Sequence, residues 1–139
     1  MFLRNIKYLI GECINNIENN WQLLHNLNPD TRIYALGTYY SPLYDKIQKL
    51  IYLQEKKTNK SKKYDNKFLK AINIYNKMLK EACDKYNYVD YVDINFIKNY
   101  CAPLDFHPNT IGNRLIASRI LTKIEFQDIL DKRKIKKLK

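Results

Sequence analysis

The chain of 139 residues is 45% apolar and 13% aromatic, which suffices for one core in one domain and excludes the charge-rich, core-less composition of a disordered chain. No run approaches the ~20 apolar residues of a membrane-spanning helix, and the apolar stretch after Arg4 and Lys7 is interrupted by Glu12 with no small-residue cleavage site, so the chain reads as soluble. The net charge of +11, from 25 Lys plus Arg against 14 Asp plus Glu, is discounted as a sign of an anionic partner, because the excess of Lys over Arg and the abundance of Asn, Ile and Tyr match an AT-rich coding sequence.

From Leu3, the residues Ile6, Ile10, Cys13, Ile17, Trp21 and Leu24 recur at steps of three and four, which predicts a helix that Asn26–Asp30, with Asn28-Pro29, brings to an end. Arg32–Leu36, closed by Gly37, suits a short strand buried in a parallel sheet, and Tyr39-Tyr40-Ser41-Pro42 leaves it as a loop. Leu43, Ile47, Leu50 and Ile51 predict a helix of two to three turns, followed by a solvated Lys-rich excursion over Glu55–Lys63. Phe68, Ile72, Tyr75, Leu79, Ala82 and Tyr86 form the clearest amphipathic pattern. Tyr88–Ile94 reads as a second strand and Asn95–His107, with Pro103, as a loop. A last helix begins after a cap at Asn109 or Thr110 and turns Ile111, Leu115, Ala117, Ile120 and Ile124 inward. Residues 125–139 form a basic helical tail. This order predicts a right-handed α/β layer in which two adjacent parallel strands pack against helices. The three cysteines, Cys13, Cys83 and Cys101, are too scattered for a zinc or redox motif and read as reduced and mostly packed.

One constellation carries chemistry: Asp105-Phe106-His107-Pro108-Asn109-Thr110, with Gly112, Ile116 and Ala117 following. It occupies the loop leaving the second strand, and ligands of open parallel α/β sheets bind at the carboxyl ends of the strands. Pro108 drives His107 towards an extended backbone just before a helix. An imidazole there can act as general base, provided a carboxylate fixes its tautomer, and Asp105 is the nearest carboxylate. An isolated Asp-x-His reads first as a capping or packing element; the adjoining Pro-Asn and Gly112 turn the reading towards a site.

These residues resemble the last motif block of the SGNH or GDSL-like hydrolases, an Asp and a His followed by Pro-Asn, a Gly and an Ile-Ala helix. Asn28-Pro29-Asp30, Ile33–Gly37 and Tyr40-Ser41-Pro42 resemble that family's strand-and-loop segment, which usually ends Tyr-Asn-Pro, and Tyr91–Ile94 its last strand. The resemblance covers about Ile17 to Ile124. It implies a partial three-layer, flavodoxin-like fold with a short parallel sheet and flanking helices, His107 as general base, Asp105 as its orienting partner, and a small-molecule or lipid ester as substrate. The family's acid commonly stands three residues before the histidine, where Leu104 stands here.

Neither Gly-Asp-Ser nor Gly-x-Asn-Asp occurs, and Ser41, Ser61 and Ser118 are not placed as nucleophiles. The resemblance therefore implies the C-terminal portion of such a domain, inactive alone because losing a triad's nucleophile costs about 10⁶ in turnover, with a missing N-terminal fragment as partner. Ile33, Ala35, Val89 and Val92 should then leave an uncovered apolar face or strand edge that recruits other copies. Cys101 is a conceivable alternative nucleophile, although a buried hydrophobe is the commoner fate of such a thiol. His25 reads as a solvated helix end. Asp90, Asp93, Asp105 and His107 do not read as a metal site, because Asp90 and Asp93 point to opposite faces of a strand, and nothing asks for a cofactor. Tyr39, Tyr40, Tyr88 and Tyr91 read as packing residues rather than a stacking platform, and no specific nucleic acid is expected. The competing reading is a remnant without catalysis whose lysines bind anionic membrane or nucleic acid in a salt-sensitive way.

Overall fold

The computed structural model of the protein describes residues 2–102 and 105–137. Pro103 in the expected site loop, Leu104, where the resemblance would place the acid, and the last two tail residues lie outside them. Among the described residues the order is α1 (Phe2–Leu27), β1 (Ile33–Leu36), α2 (Pro42–Thr58), α3 (Lys67–Cys83), β2 (Val89–Val92), a 3-10 helix (Asn95–Tyr100) and α4 (Thr110–Lys137). The fold is mixed α/β, mostly helical. Its two strands run parallel, with Ile33 opposite Val89 and Leu36 opposite Val92, as a crossover through α2 and α3 requires.

The period of two along each strand divides the core. Ile33, Ala35 and Val89 meet Ile14 and Trp21 of α1 and Leu79, Ala82 and Cys83 of α3. Val92 joins Ile94 and Ile97, over which Tyr34, Tyr39 and the α4 residues Leu115, Ile116 and Ile120 pack. Helices thus lie against both faces, and Val92 and Ile97 are 0% exposed. The faces of Val89 and Val92 are therefore covered, and what stays open is at the strand edges. Ile33 and Ala35 are only half-buried, and each strand keeps one edge without a strand partner among the described residues.

Other expectations need correction. Ile14 carries the buried stripe of α1, while Cys13 and Leu24 are exposed. In α4, Ile111 and Ala117 face solvent. The α2 helix outlasts its apolar pattern and includes Glu55–Thr58: Glu55, Lys56 and Lys57 are good helix formers, and Lys62 reaches back to Glu55 at 3.2 Å. The expected loop after β2 begins with the 3-10 helix, whose Ile97 plugs the core. His25 is half-buried, stacked on Tyr88 with ring centroids 3.8 Å apart. No helix among the described residues is long and apolar enough to cross a membrane.

Candidate functional site

The segment from Cys101 to Asn109 is drawn closed at its base. Cys101 and Pro108 form an isolated antiparallel bridge, and the Asn109 N–H donates to the Tyr100 carbonyl at 2.7 Å. Asn109 is also the cap of α4, its side-chain oxygen accepting the N–H of Gly112 at 2.9 Å. Gly112 is buried against Pro108 and Tyr100. The motif's Pro, Asn and Gly therefore share one task, closing the loop onto the start of the helix.

His107 stands at the tip. Asp105 Oδ1 accepts the His107 backbone N–H at 3.1 Å and lies 2.6 Å from its ring Nδ1. First the backbone N–H and then the ring of His107 hold the Asp105 carboxyl below its ordinary pKa, so it is ionised at neutral pH and can only accept. The proton of the shared hydrogen bond then sits on Nδ1, and in the neutral ring Nε2 is left as an acceptor. The His107 side chain is 82% exposed and that of Asp105 50%, so the ring is open to an incoming group. The two residues that the motif singled out are brought together.

The loop leaving β1 reaches the same place, which puts His107 beyond the carboxyl ends of the strands. The Tyr39 hydroxyl donates to the Phe106 carbonyl at 2.6 Å and the Ser41 hydroxyl to the Asp105 carbonyl at 3.0 Å. Tyr44 of α2 packs on Phe106 with centroids 4.7 Å apart. At the start of this loop, Asn76 of α3 grips Thr38 through both backbone groups, at 2.7 Å each. Gly37 leaves room there for the Tyr91 hydroxyl and the Asn76 amide. The sequence offered one signal for Ser41: a serine before a proline that opens an apolar helix is a cap, and Ser41 indeed accepts the Leu43 N–H at 3.2 Å. Nothing local marked Tyr39 or Asn76.

The other candidates do not assemble. Cys101 is half-buried and its thiol donates to the Ile97 carbonyl at 3.5 Å. Burial, and then the charge of Asp105, push that thiol up, away from the thiolate a nucleophile needs. Ser41 is 0% exposed with its hydroxyl engaged; Ser61 and Ser118 are exposed, in a turn and in α4. Asp90 pairs with Arg32 at 2.7 Å and Asp93 accepts the Asn95 N–H. No cluster able to hold a metal ion occurs among the described residues. Tyr88 stacks on His25, at the other end of the strands from Tyr39 and Tyr40, so the four tyrosines form no continuous platform.

A cleft of about 780 Å³ opens along β2, walled by Cys83, Asp84, Asp90, Arg119 and Phe126 among others, and it includes neither Asp105 nor His107. Size alone would favour it. Its chemistry does not: Asp84 is paired with Lys80, Asp90 with Arg32, and burial pushes the Cys83 thiol up to about 11. The exposed, tautomer-fixed imidazole is the more competent group. Compared with protein-family models, with curated proteins and with solved structures, the chain matches none.

Proposed function

We propose that this chain supplies the general-base half of an SGNH-type ester hydrolase, with His107 as base and Asp105 as its orienting carboxylate, within a three-layer, flavodoxin-like domain. The observation that carries the reading is the 2.6 Å contact between Asp105 Oδ1 and His107 Nδ1 on an exposed loop beyond two parallel strands. Nε2 takes the proton of a serine hydroxyl as that oxygen attacks the ester carbonyl, Asp105 stabilises the imidazolium, and the proton passes to the departing alkoxide. A water activated by the same nitrogen then releases the acid. The serine and the oxyanion donors come from residues outside this sequence, whose strands extend the sheet from a free edge. The substrate class is a small or lipid ester.

The test begins with the DNA upstream of the codon for Met1, where a frame encoding Gly-Asp-Ser is expected. Protein joined to that segment should hydrolyse p-nitrophenyl esters, and His107→Ala should lower kcat/KM by at least about a thousandfold. The 139-residue chain alone should show no more activity than its own His107→Ala variant. A joined protein that is inert, or active without His107, removes the reading. Tight, steeply salt-dependent binding of DNA or anionic vesicles by such an inert protein would favour a basic binding module instead.

A further inference from the structure

The hydrogen bond between Asp105 and His107 joins residues two apart in sequence. It sets the ring relative to Asp105 but not relative to the rest of the molecule, and with both side chains at least half exposed, packing does not set it either. The aim of the ring must come from the backbone that carries it. Two consecutive carbonyls of that backbone, those of Asp105 and Phe106, are each held by a hydroxyl from the loop leaving β1.

We propose that Tyr39 and Ser41 are the positioning residues of the Asp105–His107 pair, clamping the two carbonyls that precede His107 and so directing its ring. Ser41 is suited to this because its oxygen already accepts the Leu43 N–H, which leaves its proton to point at Asp105. Pro42 follows, and Ser41 holds an extended backbone with φ −66° and ψ 141°. Burial pushes the Tyr39 phenol up to about 12, so it remains a donor throughout the range in which an imidazole acts as base. The clamp is anchored in turn, since Asn76 fixes Thr38 at both backbone groups. A continuous line of hydrogen bonds and chain thus runs from the middle of α3 to the imidazole.

The proposal gives a mechanistic role to these residues only if His107 is a base, yet the clamp can be read in the 139-residue chain without any activity. Backbone ¹⁵N relaxation should give Asp105, Phe106 and His107 order parameters near ~0.85 in the unaltered chain and below ~0.6 in the Tyr39→Phe/Ser41→Ala double variant. The chain has two histidines, and His25, stacked on Tyr88 away from the loop, reports on the fold. Its ring signals and the core amides should stay in place. If the three amides remain rigid in the double variant, or if His25 and the core move with them, the clamp is not a positioning device. Should Ser41→Ala fail to fold, Tyr39→Phe decides alone, with loosening confined to residues 105–107 supporting the proposal and unchanged rigidity overturning it. An inert joined enzyme beside a positive relaxation result removes the hydrolase reading and leaves the clamp; the opposite pair of results does the reverse.

Discussion

Gly112 lies so close to Pro108 that a Cβ on residue 112 would stand 2.8 Å from the Cβ of the proline, and 3.0 Å from the Tyr100 carbonyl oxygen. Neither neighbour is the free end of a flexible side chain. Gly112→Ala therefore sets two effects against each other. Alanine gains up to about 1 kcal/mol of helix propensity, whereas forced expansion of a packed site costs about 1–3 kcal/mol. The crowding should win, lowering the urea midpoint and shifting the amide signals of His107 and Pro108's neighbours. A variant more stable than the parent would show that the loop base yields easily.

Ile97 is 0% exposed beneath the site loop, and Ile97→Ala should cost about 2–4 kcal/mol, the range for a large-to-small change in a core that cannot collapse around it. Leu50, 67% exposed on α2, is the matched control: Leu50→Ala should stay within about 0.5 kcal/mol. Equal effects in denaturant titrations would place Ile97 outside the core.

Asp105 is held below its ordinary pKa by His107. A carboxyl depressed in the folded state contributes stability above its unfolded pKa of ~3.9 and loses it as pH falls through the lower folded value. The carboxyl carbon of Asp105, followed by NMR in acid, should titrate below a typical aspartate. In His107→Ala the midpoint should rise, because the ring's hydrogen bond and charge are gone, and an unmoved midpoint would contradict the pairing.

Thiol reactivity should rank the cysteines. Cys13 is exposed, Cys101 half-buried and Cys83 buried, with the Cys83 thiol pushed up to about 11. Under native conditions iodoacetamide should modify Cys13 first, Cys101 more slowly and Cys83 last, read by mass spectrometry of peptides. Prior modification of Cys101 would reopen its claim as a nucleophile.

What the sequence revealed, it revealed through local pattern. Ile33–Leu36 and the stripe of α3 announced themselves by period and composition, and Asp105 with His107 by a spacing of two beside a proline. The end of α2 was missed because Gln54 to Thr58 has no apolar residue; absence of apolar spacing signals a solvated face, which a helix can also present. Cys13 and Ile14 both keep a step of three or four from Ile10 and Ile17, and at 100° per residue Ile14 lies nearer the middle of the stripe that Ile10, Ile17 and Trp21 define. Ser41 is legible in the sequence as a helix cap but not as a partner of Asp105, and Tyr39 and Asn76 carry no local sign of their contacts, because all three partners lie on other elements and no spacing rule records a contact of that kind.

The Ser41–Asp105 and Tyr39–Phe106 hydrogen bonds join residues 64 and 67 positions apart, and this separation orders events in time. The Asp105–His107 contact closes a few atoms of chain and can form as soon as those residues meet, whereas the bonds that aim it must wait for closure of a long loop and for β1 to find β2, the slow class of event in folding. A chain caught part-way should already own its Asp105–His107 contact and not yet a direction for it. If the clamp aims the ring as proposed, that aim is among the last things this fold acquires, and among the first that local opening around β1 would take away.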